Sequence, residues 1–370
     1  MSDVSSVKLA HLVKFGHGKD WKTVESPNGN FPVYGSGGKF GLASDFLHDG
    51  EAVLFGRKGT VDRPIYVNEK FWTVDTMYYA IPHSDRAVGK YLYYWATTIP
   101  FQTITTNTAL PSVTSMDLSQ LYVPLPTLVT QQRIADYLDR ETVEIDAAVA
   151  DLDRYVELLE KRRLIAIENA IEGKPIPLHC MSRIVDCVHT TPDRDDAGVA
   201  EAVRTSSIRN GKYIPGVGIP ISLETLTLRT KELSPQPGDL FFTREAPAGE
   251  ACLVPKDKPY ASGQRVVTIR PDVSVVLPEY LLFALYSSQI QLRWETTSTG
   301  STVTNIKMDT IGQTRIPTPP VDLQHQIIEV LKKEFDEIDS LVAESRKLRE
   351  LLLKRRSVLI TDVVTGRKQV

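Results

Sequence analysis

Two stretches of the chain place apolar residues among polar ones with the spacing of long amphipathic helices. In the first stretch, five apolar residues follow one another at steps of four and three: Ile145, Val149, Leu152, Val156 and Leu159. A similar stripe in the second stretch consists of Leu341, Leu348, Leu352 and Leu359, with Ser345 and Arg355 interrupting it. This is coiled-coil spacing. It predicts two helices of roughly 40 residues each, which can bury their stripes on each other.

The two stretches are copies of one another. Residues 123–174 align with 316–367 without a gap at an offset of 193, and 19 of the 52 aligned positions are identical. A Pro-x-Pro pair opens each copy and predicts an extended approach to the helix. Gly173 and Gly366 close the two copies, and their placement favours helix C-caps. The chain therefore contains a tandem repeat.

The segments before each helix have a different pattern, with short strand-like runs separated by turn residues. Runs at 52–56, 77–81, 239–243 and 266–270 predict strands, and stretches at 88–97 and 278–285 predict one short helix in each segment. The predicted organisation is a globular part at 1–123, a helix at 124–174, a second globular part at 175–316 and a second helix at 317–370. Each globular part is predicted to be α+β.

Composition narrows the class of protein. The 370 residues are 42% hydrophobic and 24% charged, which is typical of a globular chain. We find no apolar run of 18 residues and no signal-peptide pattern at the N-terminus. Three cysteines without a Cys-x-x-Cys pair, and histidines without ligand spacing, argue against disulfides and against a metal site. A reducing cytoplasm is the expected location.

Enzyme signatures are missing as well. The sequence contains no phosphate-binding loop, no nucleophile elbow and no kinase motif set. The net charge is −3, and residues 126–174 carry 7 basic and 11 acidic side chains. Any contact with nucleic acid is therefore expected from basic clusters in loops of the globular parts. Two duplicated domains without catalytic motifs favour a binding protein.

The order of these elements resembles a known family. Each globular segment is followed by Pro-x-Pro, a glutamine-rich helix start at 131–132 and 324–325, and a long helix that carries Lys-Arg-Arg and closes on glycine. Together with GDLFFTRE at 238–245 and TSTGSTVTNIKMD at 297–309, this is similar to the specificity subunit of type I restriction-modification systems, which act in DNA methylation and host defence. The resemblance covers essentially the whole chain. The family's usual Glu-Gln appears here as Gln131-Gln132 and Gln324-His325.

The resemblance implies an α+β fold with two target recognition domains separated by two long antiparallel helices that form a coiled coil. It implies a pseudo-twofold tandem repeat in which two different domains read two unlike DNA half-sites. The implied partners are double-stranded DNA, two methyltransferase subunits and restriction subunits. S-adenosylmethionine and ATP with Mg²⁺ would be bound by those partners and not by this chain, which would be non-catalytic.

Candidate DNA-binding residues are the cations and short polar side chains of the turn-rich segments, because cations suit phosphate and guanine while amides suit adenine. In the first part they are Lys39, Arg57, Lys58, Arg63, Thr105, Thr106 and Asn107. In the second part they are Arg209, Asn210, Lys212, Arg244, Gln264, Arg265, Thr297, Ser298, Thr299, Ser301 and Thr302. Arg57 and Arg244 both directly follow a predicted strand.

Other interpretations stay open on the sequence alone. Each candidate also fits a solvated turn, and Arg265 also fits an internal strand on which it is paired. Two other functions also fit: a helical adaptor or scaffold that does not bind DNA, and a nuclease or methyltransferase with degenerate motifs. Salt-dependent DNA binding with a half-site preference would exclude the adaptor, whereas S-adenosylmethionine binding by the isolated chain would favour the methyltransferase.

Overall fold

The structure is a computed structural model that describes residues 5–106, 111–297 and 305–370. The chain divides into two compact units, one formed by Met1–Asp153 with Arg346–Val370 and the other by Arg154–Ser345. Each unit contains one globular part and portions of both long helices. The segment boundaries predicted from the sequence stay a prediction.

The first globular part is built on a mixed sheet. Its strands are β1 (Ser6–Lys8), β2 (Val13–His17), β3 (Phe31–Gly35), β4 (Gly38–Ala43), β5 (His48–Gly56), β6 (Ile65–Thr73), β7 (Met77–Pro82) and β8 (Tyr122–Pro124). Its helices are α1 (Gly89–Ala96) and α2 (Ser115–Ser119), with 3₁₀ turns at Leu9–His11 and Phe101–Thr103. Six strands form one sheet in the order β2-β7-β5-β6-β3-β4, and β1 pairs with β8. In the six-stranded sheet, β3 and β6 pair in parallel and the other neighbours are antiparallel. The predicted strands at 52–56 and 77–81 and the predicted helix at 88–97 are confirmed.

The second globular part repeats the centre of this sheet. Its strands are β9 (Lys174–Pro177), β10 (Ser182–Val185), β11 (Ala200–Val203), β12 (Ile208–Arg209), β13 (Lys212–Tyr213), β14 (Ile219–Ile221), β15 (Leu240–Thr243), β16 (Ala251–Leu253), β17 (Tyr260–Ser262), β18 (Val266–Pro271) and β19 (Arg315–Thr318). The order β10-β18-β15-β16 matches β2-β7-β5-β6, and β9 pairs with β19 as β1 pairs with β8. The outer strands differ, because β14-β11-β17 form a separate sheet and β12 pairs with β13.

Helices complete the second part and connect the two units. The second part contains α4 (Leu223–Arg229), α5 (Pro278–Leu285), α6 (Ser288–Thr297) and α7 (Met308–Gly312), with 3₁₀ turns at Leu178–Cys180 and Thr205–Ser207. The long helices are α3 (Leu128–Ala170) and α8 (Val321–Val364). Their lengths of 43 and 44 residues confirm the prediction of two long helices. No helix among the described residues is long and apolar enough to cross a membrane.

Within each unit, α3 and α8 run antiparallel. In the first unit, Asp146 pairs with Arg356 at 2.8 Å and Asp153 pairs with Arg349 at 2.7 Å, so rising numbers on α3 meet falling numbers on α8. In the second unit, a buried cluster of Leu159, Ile338 and Val342 lies between them.

The apolar stripe on α3 is confirmed, and the stripe on α8 is confirmed except at Leu348. Ile145 and Leu159 are buried, whereas Leu348 is 49% exposed. Leu341, Leu352 and Leu359 are partly buried, but Arg349 lies inward in place of Leu348. An arginine can occupy an inward position because its apolar stem packs while its guanidinium meets Asp153.

Two buried glutamines connect the long helices to the globular parts. The amide oxygen of Gln131 accepts the Val88 N–H at 2.9 Å, and its amide nitrogen donates to the carbonyls of Arg86 and Pro126 at 3.1 and 2.9 Å. Val88 caps the N-terminus of α1. Gln131 is fully buried, so these three bonds satisfy groups that water cannot reach.

Gln324 makes the same contacts in the second unit. Its amide oxygen accepts the Leu277 N–H at 2.7 Å, and its amide nitrogen donates to the Val275 and Pro319 carbonyls at 2.8 Å each. Leu277 caps α5 as Val88 caps α1. We call these two sets of bonds the glutamine clamps. They confirm the tandem repeat at the level of individual atoms.

A buried tyrosine accompanies each clamp. The Tyr91 hydroxyl donates to the Pro124 carbonyl at 2.6 Å, and the Tyr280 hydroxyl donates to the Pro317 carbonyl at 2.8 Å. Each bond joins the short helix of a globular part to the proline segment that leads into the long helix. The Pro-x-Pro pairs therefore present carbonyls in a fixed geometry besides delaying the helix start.

The two closing glycines differ in role. Gly366 lies two residues past the end of α8 with φ +75°, as a C-cap requires. The interpretation of Gly173 as a C-cap is wrong, since α3 ends at Ala170. A Cβ at Gly173 would lie 2.5 Å from the Pro319 nitrogen. Glycine is needed there because β9 approaches the entry to α8 closely.

We predict that Gln131→Ala and Gln324→Ala each lower the free energy of unfolding by about 3 kcal/mol, because each removes three hydrogen bonds to backbone groups that are sheltered at least in part from water. Urea unfolding of the full chain measures this. Gln132→Ala is the matched control, since Gln132 is exposed and bonds to Asp136. A loss equal to that of the control would contradict the clamp.

Candidate nucleic-acid interface

In the first unit, three loops meet beyond the end of β5. Lys58 forms a β-bridge with Ser112, and the Gly59 N–H donates to the Pro111 carbonyl at 3.1 Å. A Cβ on Gly59 would lie 3.4 Å from Ser36 Oγ, which belongs to the turn between β3 and β4. The structure thus brings the turn at 57–60 next to the turn at 35–38 and to Pro111 and Ser112.

Four predicted cations of this unit are exposed, and none of them pairs with a carboxylate in the part of the chain that the structure describes. Arg57 directly follows β5, and its guanidinium lies 6.0 Å from the centre of the Tyr78 ring. Its backbone is fixed, since its N–H donates to Thr76 O at 2.7 Å and its carbonyl accepts from Val113 at 3.1 Å. Among the described residues, no carboxylate oxygen lies within 4 Å of Lys39, Arg57, Lys58 or Arg63. Their charge is therefore free to act on an anion.

The predicted threonines lie beside this turn. Thr106 is hydrogen-bonded to Ser112 through its backbone N–H at 3.1 Å and pairs hydroxyls with Ser112 at 3.0 Å. Thr105 is half-buried, and Arg63 is exposed four residues beyond Gly59. Asn107 lies outside the described residues. In this unit, Lys58 and Thr106 both contact Ser112, and Arg57 directly precedes Lys58 in the same turn.

In the second unit, Arg244 occupies the position that Arg57 has in the first, but its side chain is engaged. Its terminal nitrogen donates to both oxygens of Asp186 at 2.9 and 2.7 Å, and its Nε donates to the Ile306 carbonyl at 3.1 Å. Its side chain is 14% exposed. Arg244 therefore ties three segments together, namely the ends of β10 and β15 and the segment before α7.

These contacts fix the backbone of Arg265 and leave its side chain partly exposed. Its carbonyl accepts the Arg244 N–H at 2.9 Å, and its own N–H donates to Cys187 Sγ at 3.1 Å. Its φ is +74°, a left-handed conformation that costs a non-glycine residue free energy. The side chain is 47% exposed and lies 3.0 Å from Glu245. Asn305 also donates to Glu245, at 2.5 Å.

Gln264 lies beside Arg265 and has polar partners. Its amide oxygen accepts from the Thr191 hydroxyl at 3.0 Å, and its amide nitrogen donates to the His189 carbonyl at 3.2 Å. The loop that carries both partners is fastened from another side by Arg229, whose guanidinium donates to the Val188 carbonyl at 3.4 Å and to the Thr190 carbonyl. The predicted neighbours Gln264 and Arg265 therefore share one cluster with Arg244.

The other predicted residues of this unit lie apart from that cluster or outside the described residues. The Arg209 guanidinium donates to the backbone carbonyls of Thr205 and Ile208 at 2.7 and 2.5 Å. Asn210 has φ +50° and donates its N–H to Glu250 at 2.8 Å. Lys212 pairs with Asp339 on α8. Thr297 ends α6, and Ser298, Thr299, Ser301 and Thr302 lie outside the described residues.

Asp186, Cys187 and His189 bring three possible metal ligands within 4.8 Å of one another. The surroundings disfavour a cation there. Asp186 already holds the Arg244 guanidinium, and burial raises the pKa of the Cys187 thiol, which keeps it protonated. His189 lies 3.3 Å from the same carboxylate. The group is best described as a hydrogen-bonded support for Arg265.

Sequence reasoning missed the acidic partners of this cluster. Asp186 encloses Arg244, and Glu245 pairs with the exposed Arg265. Acidic side chains repel phosphate, so they are not expected in a site for DNA. Glu245 directly follows Arg244 in the chain. A cation flanked by an acid at a strand end is the signal that could have pointed to such a pair.

The fold and the site define a tandem recognition protein: two sheet domains with cationic loops at strand ends, each clamped to a long helix. Comparison with known proteins agrees. The sequence model for the type I restriction modification DNA specificity domain matches residues 1–148 and 190–349. The chain therefore belongs to this family of specificity subunits, as the resemblance indicated.

Individual relatives are distant. The chain is 21% identical over 268 residues to the Escherichia coli type I restriction enzyme EcoBI specificity subunit, covering 64% of this chain and 56% of that one. The chain thus matches little more than half the length of that curated relative.

Solved structures share the architecture. A chain from a structure of complex assembly and conformational transition in the type I R-M system has a TM-score of 0.67 at 15% identity, with 97% of each chain covered. The S subunit from M. genitalium has a TM-score of 0.44 at 13% identity, covering 98% of this chain and 97% of that one. The fold likeness rests on the first of these.

We predict that Arg244→Ala lowers the free energy of unfolding by about 2 kcal/mol, because it removes the guanidinium that bonds to Asp186 and to the Ile306 carbonyl. Arg57→Ala, at the equivalent exposed position, should change it by no more than about 0.5 kcal/mol. Differential scanning calorimetry of both variants tests the difference. Equal losses would mean that Arg244 is not the tie that the contacts describe.

Proposed function

We propose that this protein is the sequence-specific DNA-binding subunit of a type I restriction-modification complex and reads a bipartite site with its two recognition domains. The observation that carries the proposal is an exposed cation at the same edge of the repeated sheet in both units. In the first unit it is Arg57, directly after β5, and in the second it is Arg265, directly before β18 and bonded to Arg244, which follows β15. Phosphate contacts would set the register, and contacts to base edges would supply the specificity. The chain itself supplies recognition and no chemistry.

The contacts support different roles for two arginines of the second domain. Arg265 is exposed and faces outward from a rigid cluster, so it is the residue that contacts DNA. Arg244 is enclosed and acts through Arg265, so it is a positioning residue. The strained backbone at Arg265 supports this division, because strain persists where a defined side-chain position is needed.

The long helices supply a surface for partners. Several large apolar side chains on α3 and α8 are exposed: Val143, Leu158, Ile165, Val330, Leu351 and Val358. Such a surface on a polar helix suits docking of other subunits. Because the helix sequence occurs twice, we propose two methyltransferase subunits per chain, which bind S-adenosylmethionine, together with ATP-dependent restriction subunits. The assembly would lie in the cytoplasm.

The DNA proposal is tested through Arg265. Methylome mapping of cells with and without this chain first identifies the bipartite motif. Arg265→Ala should then weaken binding of the assembled complex to one half-site by roughly 1–3 kcal/mol if a base contact is lost. Fluorescence anisotropy with duplexes altered in either half-site measures this.

Arg265→Gly separates binding from folding. Glycine relieves the left-handed backbone and should raise the free energy of unfolding by about 1 kcal/mol, since the exposed pair with Glu245 contributes little. Its DNA binding should fall as far as that of Arg265→Ala. Unchanged binding by both variants would contradict a reading role, and an equal loss on all duplexes would indicate a phosphate contact.

The proposed stoichiometry follows from the duplicated helix. Native mass spectrometry of the co-expressed complex should show two methyltransferase subunits bound to one copy of this chain. A complex that stays at one to one when the methyltransferase is in excess would contradict two equivalent docking surfaces. It would leave the proposal of DNA recognition standing.

A further inference from the structure

The glutamine clamps and their tyrosines repeat in both units, so the backbone geometry between each recognition domain and the helix that follows it is the same. Gln131 is equivalent to Gln324, so equivalent positions on α3 and α8 differ by 193 in residue number. Val88 is equivalent to Leu277, so equivalent positions on α1 and α5 differ by 189. Backbone geometry alone would therefore let either domain dock on either helix. The side chains beside the clamps do not repeat.

The first difference is an exchange of charge. In the first unit, Lys90 of α1 pairs with Asp139 of α3. The equivalent positions in the second unit hold Glu279 of α5 and Lys332 of α8, whose charged atoms lie 3.1 Å apart. The domain contributes the cation in one unit and the anion in the other.

The second difference lies one turn further along the same helices. The Tyr94 hydroxyl of α1 donates to Asp139 at 2.7 Å and lies 3.2 Å from the Thr142 hydroxyl. The equivalent residues in the second unit are Phe283 and Phe335, whose rings meet edge to face at 5.3 Å. A polar pair in one unit has become an apolar pair in the other.

We propose that these exchanged contacts form a key that matches each recognition domain to its own helix and rejects the other domain. The second domain on α3 would place Glu279 against Asp139 and Phe283 against a carboxylate and a hydroxyl. The first domain on α8 would place Lys90 against Lys332 and the Tyr94 hydroxyl against Phe335. Like charges and a stranded hydroxyl disfavour both wrong combinations.

The wrong partner that the key excludes is a domain of a second copy of this chain. Identical clamps would otherwise allow two copies to exchange recognition domains, which is a common route to swapped dimers in repeat proteins. A protein with two different readers needs one of each at defined positions. The key would thus protect the pairing of the two half-sites, in addition to the covalent order of the domains.

One substitution tests the key because its effect should change sign with the domain that faces it. In the full chain, Lys332→Asp places a second carboxylate against Glu279 and should raise the unfolding equilibrium constant about three- to tenfold. In a chimera that carries residues 7–123 in place of 176–316, Lys332 would face a second copy of Lys90. There the same substitution should lower the constant by a similar factor.

Lys333→Asp is the matched control. Lys333 is exposed and lies next to the key position. Its substitution makes the same change of charge, so the effect on unfolding should have the same sign in both chains. Thermal unfolding measures all four variants. An effect of Lys332→Asp that has one sign in both chains would overturn the proposal.

If the chimera does not fold, a double-mutant cycle in the full chain tests the key. Glu279→Lys alone and Lys332→Asp alone should each destabilise the protein, and the double variant, which copies the arrangement of the first unit, should recover most of the loss. Additive losses would overturn the key. Neither experiment uses DNA, so its failure would leave the proposed function intact.

Discussion

A buried amide side chain must find a partner for each of its polar atoms, and in this protein that requirement joins the recognition domains to the helices. Gln131 and Gln324 each bond to one N–H and two carbonyls. In the first unit the bonded N–H caps α1, and α1 packs on β5, which leads directly into Arg57. The position of the cationic loop relative to α3 thus follows from one fully satisfied glutamine.

Much of this architecture was predictable because it depends on local sequence patterns. The helix repeat, the strands at 52–56 and 266–270 and the short helix at 278–285 depend on periodicity and turn residues, which act within a few residues. Even the clamp leaves a trace, since its glutamine is identical in the two copies. What the sequence could not show is which backbone groups of the globular part that side chain meets, because these two of its three partners lie about 45 residues away.

The predictions that failed depend on contacts between residues that are distant in sequence. Leu348 was wrongly placed in the stripe on α8, because Arg349 takes the inward position beside it and pairs with Asp153 on α3. The role of Gly173 depends on its approach to Pro319. Arg244 and Arg57 look equivalent in sequence, yet Asp186, 58 residues away, encloses one of them. In each case a residue distant in sequence decides the role of a local feature, and no window along the chain contains both.

The two recognition domains also use charge differently. The cations at the end of β5 have no carboxylate within 4 Å among the described residues, whereas Arg265 and Arg244 are each held by an acid. A free cation attracts any phosphate, and a cation fixed between an acid and a strained backbone is available in one direction. On these grounds the first loop is suited to strong, sequence-tolerant attraction and the second to directional reading. Duplication preserved the clamp in both units, while the loops and the docking contacts diverged, and under the proposed function this divergence would let two copies of one fold read different half-sites.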